Sequence, residues 1–287
     1  MTRRTLLSAL GASAVFAAPE PGRFQVSLAQ WSVHRAIRAG KLTNLDFPKL
    51  AREMGCDGVE FVNTLWASPT AGYIGRLKRN MKEHNITPVL IMVDDEGQMG
   101  HSDKAQRLKA SRNHYKWVDI AAECGCHSIR TNMYPDKAPN TQAEIDAFLG
   151  HCAESFNDLC DYASKANINV IIENHGGVSS NPDVVVALMK KVARANFGTL
   201  PDFGNFPKEI DKYDAVAKLL PYAKGVSFKC HFEGPGPSET LYDPARMFQV
   251  VEKSAFRGFV GIEYEGNKLE EYEGVKAARA WLKSYGI

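Results

Sequence analysis

Apolar residues in this chain fall into two kinds of stretch that alternate from end to end. Eight short runs are β-branched or otherwise apolar and are bounded by Gly, Pro or Asn. They are Gln25–Gln30, Gly58–Val62, Pro88–Val93, Ser128–Thr131, Asn169–Glu173, Gly198–Asp202, Gly225–Lys229 and Phe259–Glu263. Continuous apolar character of this length predicts strands buried on both faces, as parallel sheets require. Longer segments with apolar residues at helical spacing separate them. One such stripe is Ile145, Phe148, Leu149, Cys152, Phe156, Leu159, Cys160 and Ala163; another, near the end, is Val275, Ala278, Trp281, Leu282 and Tyr285. Helix starts are marked as well. Thr141-Gln142-Ala143-Glu144 has the form of a capping box, and Asn181-Pro182 sets a cap residue before a proline at the first helical position. Strand centres recur every roughly 30 to 40 residues, the length of one strand and helix unit. Eight such units predict a single (β/α)8 barrel of the α/β class. An open doubly wound sheet is the alternative, but no Gly-rich phosphate loop follows an early strand to support it.

Composition narrows the partners more than the fold. The chain has 287 residues, 44% hydrophobic and 24% charged, enough for one substantial core. Its formal net charge is +2, with Lys and Arg spread along the chain, so no phosphate-tracking surface is expected and nucleic acid is excluded as a partner. Six cysteines show no CxxC pair and no zinc-finger spacing. Cys152 and Cys160 lie on an apolar stripe and read as small buried hydrophobes. At the amino terminus, Arg3-Arg4 precedes an apolar stretch to Ala18 that is too short to span a bilayer, then Pro19-Glu20-Pro21-Gly22. This resembles a twin-arginine export signal with small residues at Val15-Phe16-Ala17 suited to cleavage. The expected organisation is therefore a signal over residues 1–18 and a barrel over 19–287. Export, in practice to the periplasm, and no membrane contact after cleavage follow from it; the oligomeric state stays open.

Barrel enzymes carry their chemistry at the carboxyl ends of the strands. Here the fifth run ends Glu173-Asn174-His175-Gly176-Gly177, the sixth Pro201-Asp202-Phe203-Gly204-Asn205, and the eighth Glu263-Tyr264-Glu265-Gly266. Three carboxylates at one rim repel one another unless a proton, a cationic side chain or a divalent metal neutralises them. A metal held by Glu173, Asp202 and Glu263, drawn from Mn, Mg, Co or Zn, is the reading carried forward. Strand alternation puts Ser227, Lys229 and His231 on one side of the seventh run, so His231 is a candidate fourth ligand and Lys229 a candidate counter-charge or catalytic group. His175, of the same parity as Glu173, is a candidate for proton transfer or substrate contact. Glu60, Arg130 and Asn132 are further candidates for substrate hydroxyl groups.

These segments, together with Tyr222-Ala223-Lys224-Gly225-Val226-Ser227, Trp117-Val118-Asp119 and Cys126-His127-Ser128-Ile129-Arg130, resemble the sugar phosphate isomerase/epimerase family of xylose isomerase-like barrels. The likeness runs from about Phe24 to the end. It implies one divalent ion bound by a Glu, Asp, His, Glu set from the fifth to eighth strands, here Glu173, Asp202 and Glu263. It also implies that the two glutamates exchange protons with a sugar. The histidine is the departure: its counterpart here is Ser227, with His231 four residues later. The implied reaction is metal-assisted proton abstraction next to a carbonyl of a sugar or sugar derivative, giving epimerisation or aldose-ketose isomerisation. The alternative is a lyase, dehydratase or hydrolase acting on keto-sugars or 3-keto-glycosides, which shares the first step. A non-catalytic sugar-binding protein would want aromatic platforms rather than clustered acids.

Overall fold

The computed structural model describes residues 24–232 and 241–287. The export signal expected over residues 1–18 lies outside them. Strand β1 (Gln25–Ala29) leads through helices α1 (His34–Arg38) and α2 (Phe47–Glu53) to β2 (Gly58–Val62), α3 (Ala71–Glu83) and β3 (Thr87–Met92). Then follow α4 (Lys104–Cys124), β4 (Ser128–Thr131), α5 (Gln142–Ser164), β5 (Asn169–Glu173), α6 (Pro182–Val192) and β6 (Phe197–Leu200). The last units are α7 (Lys212–Leu219), β7 (Val226–Cys230), α8 (Pro244–Lys253), β8 (Phe259–Tyr264) and α9 (Glu271–Tyr285).

All eight strands run parallel in one sheet of order β6-β5-β4-β3-β2-β1-β8-β7. The seam between β6 and β7 is closed by isolated parallel bridges, Thr199 with Ala223 and Asp202 with Ser227. Three backbone hydrogen bonds reinforce it: Lys224 N to Thr199 O at 3.0 Å, Ser227 N to Pro201 O at 2.9 Å and Phe203 N to Ser227 O at 3.1 Å. The eight strands expected from the sequence are all present, and the barrel class holds. Most strand ends fall within one residue of expectation, and the sixth differs most. The sixth run was expected to reach Asp202, but β6 ends at Leu200, because Pro201 has no N–H to continue the ladder. Asn174 patches the gap: its side-chain amide donates to Asp202 O at 2.9 Å and accepts from Asp202 N at 2.8 Å.

Helix boundaries follow local chemistry. Thr141 and Glu144 form the expected capping box of α5, and Asn181 caps α6 by accepting from Asp183 N at 3.0 Å, with Pro182 at the first position. The main core lies between the sheet and the helices, where Val275, Ala278 and Leu282 of α9 are fully buried against it and Trp281 and Tyr285 pack at its margin. All six cysteines are buried and unbridged, and for Cys152 and Cys160 the apolar stripe predicted the burial. Among the described residues no helix is long and apolar enough to cross a membrane.

The second core fills the barrel itself. Ala29, Val62, Leu90, Met92, Ile171, Leu200 and Phe259 pack together there, but other inward positions are polar. Gly261 makes room for one of these polar groups, since a methyl there would overlap the Glu60 carboxyl. Gly274 plays the same part outside, because a methyl at that point of α9 would overlap the Tyr264 ring of β8. Gly274→Ala should therefore destabilise the protein by about 1–3 kcal/mol, the usual cost of overpacking a filled interface. Urea unfolding should show a lower midpoint, and an unchanged midpoint would mean that α9 shifts outward at no cost.

Candidate functional site

Alternation along the strands dictates what enters the mouth. On β5 the residue after Ile171 of inward parity is Glu173; on β7 the inward residues are Ser227 and Lys229; on β8 those after Phe259 are Gly261 and Glu263. Register places Lys229 directly beside Glu263. Glu173, Asp202 and Glu263 are each buried, and each offers an oxygen that lies within 4.8 Å of the others. The structure thus brings together the three carboxylates singled out from the sequence.

Each carboxylate is oriented by at least one specific partner. Asp202 Oδ1 accepts from the backbone N–H groups of Gly204 at 2.7 Å and Asn205 at 2.9 Å, a turn that aims Oδ2 at the cluster. Glu173 Oε1 accepts from Asn205 Nδ2 at 3.0 Å, while Oε2 lies 2.9 Å from Arg130 Nε. Glu263 Oε2 accepts from the Ser227 hydroxyl at 2.8 Å. Lys229 Nζ stands 3.5 Å from Asp202 Oδ2, 3.7 Å from Glu263 Oε1 and 3.5 Å from Glu265 Oε1, and donates to Asn205 Oδ1 at 3.2 Å.

The other candidates fall into place around this centre. Arg130 is buried and bridges Glu173 to Asp94, whose Oδ1 accepts from Arg130 Nη1 at 2.6 Å and from Asn132 Nδ2 at 2.8 Å. Asn63 fixes Asp94 in turn, donating to its carbonyl at 2.8 Å and accepting from its N–H at 2.9 Å. Glu60 lies deeper, 1% exposed, where the Ser27 hydroxyl donates to it at 2.6 Å. His175 sits at the rim with Nδ1 2.7 Å from the Tyr134 hydroxyl. His231, just beyond β7, does not join the group of donor atoms. Asp94, Asn205, Glu265 and Tyr134 were not singled out from the sequence. Asp94 carries the signal that identified the others, an acid directly after an apolar run. Tyr134 carries none, because its place depends on two loops meeting.

The charges do not balance within the protein. Apart from Glu60, whose carboxyl keeps its proton at neutral pH, the carboxyls of Asp94, Glu173, Asp202, Glu263 and Glu265 surround two cations, Arg130 and Lys229. Burial pushes Glu60 up to about 8, and the negative charges of Glu263 and Glu173 add to the effect against the Ser27 hydrogen bond. Burial likewise raises Glu173 to about 7, although Arg130 opposes it. Asp94 goes the other way: burial raises it, but Arg130 and the Arg130 and Asn132 hydrogen bonds hold it below the usual range. Burial, with the positive charges of Arg130 and Lys229, lowers His175.

A divalent ion suits this arrangement. Asp202 Oδ2 is buried and accepts no hydrogen bond, and the clustered oxygens are hard donors short of positive charge. The residues that would hold the ion are Glu173, Asp202 and Glu263.

The sequence model of the xylose isomerase-like TIM barrel family matches residues 48–285. The chain belongs to this family. The chain is 26% identical over 258 residues to the human "Putative hydroxypyruvate isomerase", covering 83% of this chain and 89% of that protein. The fold is shared with the apo 3-keto-D-glucoside 4-epimerase YcjR of E. coli, at 16% identity and a TM-score of 0.74 over 91% of this chain and 100% of that one. It is shared too with a xylose isomerase-like TIM barrel protein of Mycobacterium smegmatis in complex with magnesium, at 16% identity and a TM-score of 0.65 over 91% and 96% of the two chains.

Glu60 makes the family barrel's stability depend on pH in a definite direction. Its carboxyl has an ordinary value of 4.5 and a folded value of about 8, so between those limits the folded protein holds a proton that the unfolded chain has lost. Stability therefore falls as pH rises through this window. Glu60→Gln cannot ionise and should flatten that slope, gaining several degrees of Tm over wild type at pH 8 relative to pH 5 in metal-free buffer. Parallel Tm profiles for the two proteins would show that Glu60 does not titrate in this range.

Proposed function

We propose that the protein is a metal-dependent sugar isomerase or epimerase that moves a proton next to a carbonyl. The observation that carries this reading is the convergence of Glu173, Asp202 and Glu263, with donor oxygens mutually within 4.8 Å at the carboxyl ends of β5, β6 and β8. The family membership and the names of the relatives point to the same chemistry. A divalent ion bound there would supply the electrophile that acidifies the C–H beside the carbonyl.

The protein's own residues account for the rest. Glu263 takes the proton, with the Ser227 hydroxyl on its other oxygen holding the carboxylate in place. Glu173, clamped by Arg130, returns a proton to the same carbon for epimerisation or to its neighbour for isomerisation. Asp202 is given no part in proton transfer, because one oxygen is tied to two backbone N–H groups and the other would serve coordination. His175, its Nδ1 engaged by Tyr134, presents Nε2 at the rim for a substrate hydroxyl. The substrate is a small keto- or aldo-sugar, free or as a keto-glycoside, and export by the Arg3-Arg4 signal belongs to the same proposal.

Two substitutions separate the roles. An amide keeps a carboxylate's shape and one coordinating oxygen but accepts no proton at neutral pH. Glu263→Gln should slow proton exchange with deuterated water by a factor of about 10² to 10⁴, the usual worth of a general base, and keep measurable Mn2+ binding. Asp202→Asn should lose ion and exchange together. Near-normal exchange by Glu263→Gln on sugars that the wild type processes would falsify the two-carboxylate mechanism.

A further inference from the structure

The ammonium of Lys229 faces the same oxygens that a divalent ion needs. It stands 3.5 Å from Asp202 Oδ2 and 3.7 Å from Glu263 Oε1, and no hydrogen bond to either is formed. Its third carboxylate neighbour, Glu265 Oε1 at 3.5 Å, belongs to a side chain 28% exposed at the outer edge of the cluster. The stem of the lysine passes over Gly204, where a methyl would lie 3.1 Å from Cγ and 3.2 Å from Cδ, so the glycine leaves room for the side chain. The corner where the family resemblance implies a histidine is occupied by Ser227, whose hydroxyl donates to Glu263. Among the described residues the candidate ligand group contains no imidazole.

From this juxtaposition we propose that Lys229 is a displaceable counter-cation. It holds the ion's place between Asp202 and Glu263 and turns to Glu265 when a divalent ion enters. The inference rests on the ion site proposed above. A unit charge within about 4 Å of a divalent ion opposes it strongly even where the effective dielectric is near 20, so the lysine must withdraw for the ion to bind. Glu265 provides the place to withdraw to. The consequence is an ion site of tempered affinity built from oxygens alone, in which the charge of the mouth is partly balanced before the ion arrives.

The test is Mn2+ titration of the full chain, followed by the electron paramagnetic resonance of free Mn2+, for wild type, Lys229→Met, Glu265→Gln and the double variant. Lys229→Met should tighten Mn2+ about tenfold or more by removing the competing charge. Glu265→Gln should weaken it about threefold or more, and this loss should shrink in the Lys229→Met background, because the two residues act through one motion. An equal loss in both backgrounds would reduce Glu265 to a distant charge and overturn the proposal. Unchanged or weaker binding by Lys229→Met overturns it as well. Should Lys229→Met fail to fold, Glu265→Gln decides alone, an unchanged affinity counting against the displacement. Binding of Mn2+ by none of the proteins removes the ion site itself, whereas binding by wild type with no gain in Lys229→Met removes only the role of the lysine.

Discussion

Like charges forced together inside a closed barrel are the constraint from which the rest of this structure follows. Parallel strands must turn alternate side chains inward, and in this chain the inward positions nearest the mouth on β5, β7 and β8 are charged. Water that would screen these groups on an open surface is excluded here. Each carboxylate is therefore provided with a specific partner: backbone N–H groups for Asp202, the Ser227 hydroxyl for Glu263, and a guanidinium for Glu173. Small residues serve the same end. Gly261 gives way to Glu60, and Gly204 gives way to the stem of Lys229.

Partners of fixed geometry also divide the labour among chemically similar acids. Arg130 is tied to both Asp94 and Glu173, and Asp94 is in turn locked by Asn63, so that side of the mouth is rigid. The opposite side, where Lys229 meets Asp202, Glu263 and Glu265 at 3.5 to 3.7 Å, is held by longer and less directional attraction. Rigid charge on one wall and movable charge on the other is an arrangement in which an ion could enter without the barrel itself changing shape.

Strands, helix caps and the carboxylate centre were legible in the sequence because each has a local signature. An apolar run followed by an acid identifies Glu173 and Glu263 without knowledge of any contact, and the Thr141 capping box needs only its own residues. The end of β6 was misread by two positions because alternation was extended through Pro201, whose missing N–H stops the ladder. The supporting contacts were not legible. Tyr134 and His175 are 41 residues apart, Asp94 and Arg130 36 apart, and nothing in either segment alone announces the other.

The same contrast applies to Lys229, whose two readings from sequence the structure supplements with a position. By parity it could be a counter-charge, which makes an ion less necessary, or a catalytic group beside a site completed by His231. Geometry places its ammonium against Asp202, Glu263 and Glu265 together, while His231 stays outside the donor group. One ammonium cannot balance those carboxylates along with Glu173 and Asp94, even with Arg130 added. The lysine thus lessens the excess of negative charge without removing it. What it changes is how strongly the mouth draws a further cation, and therefore how readily that cation leaves.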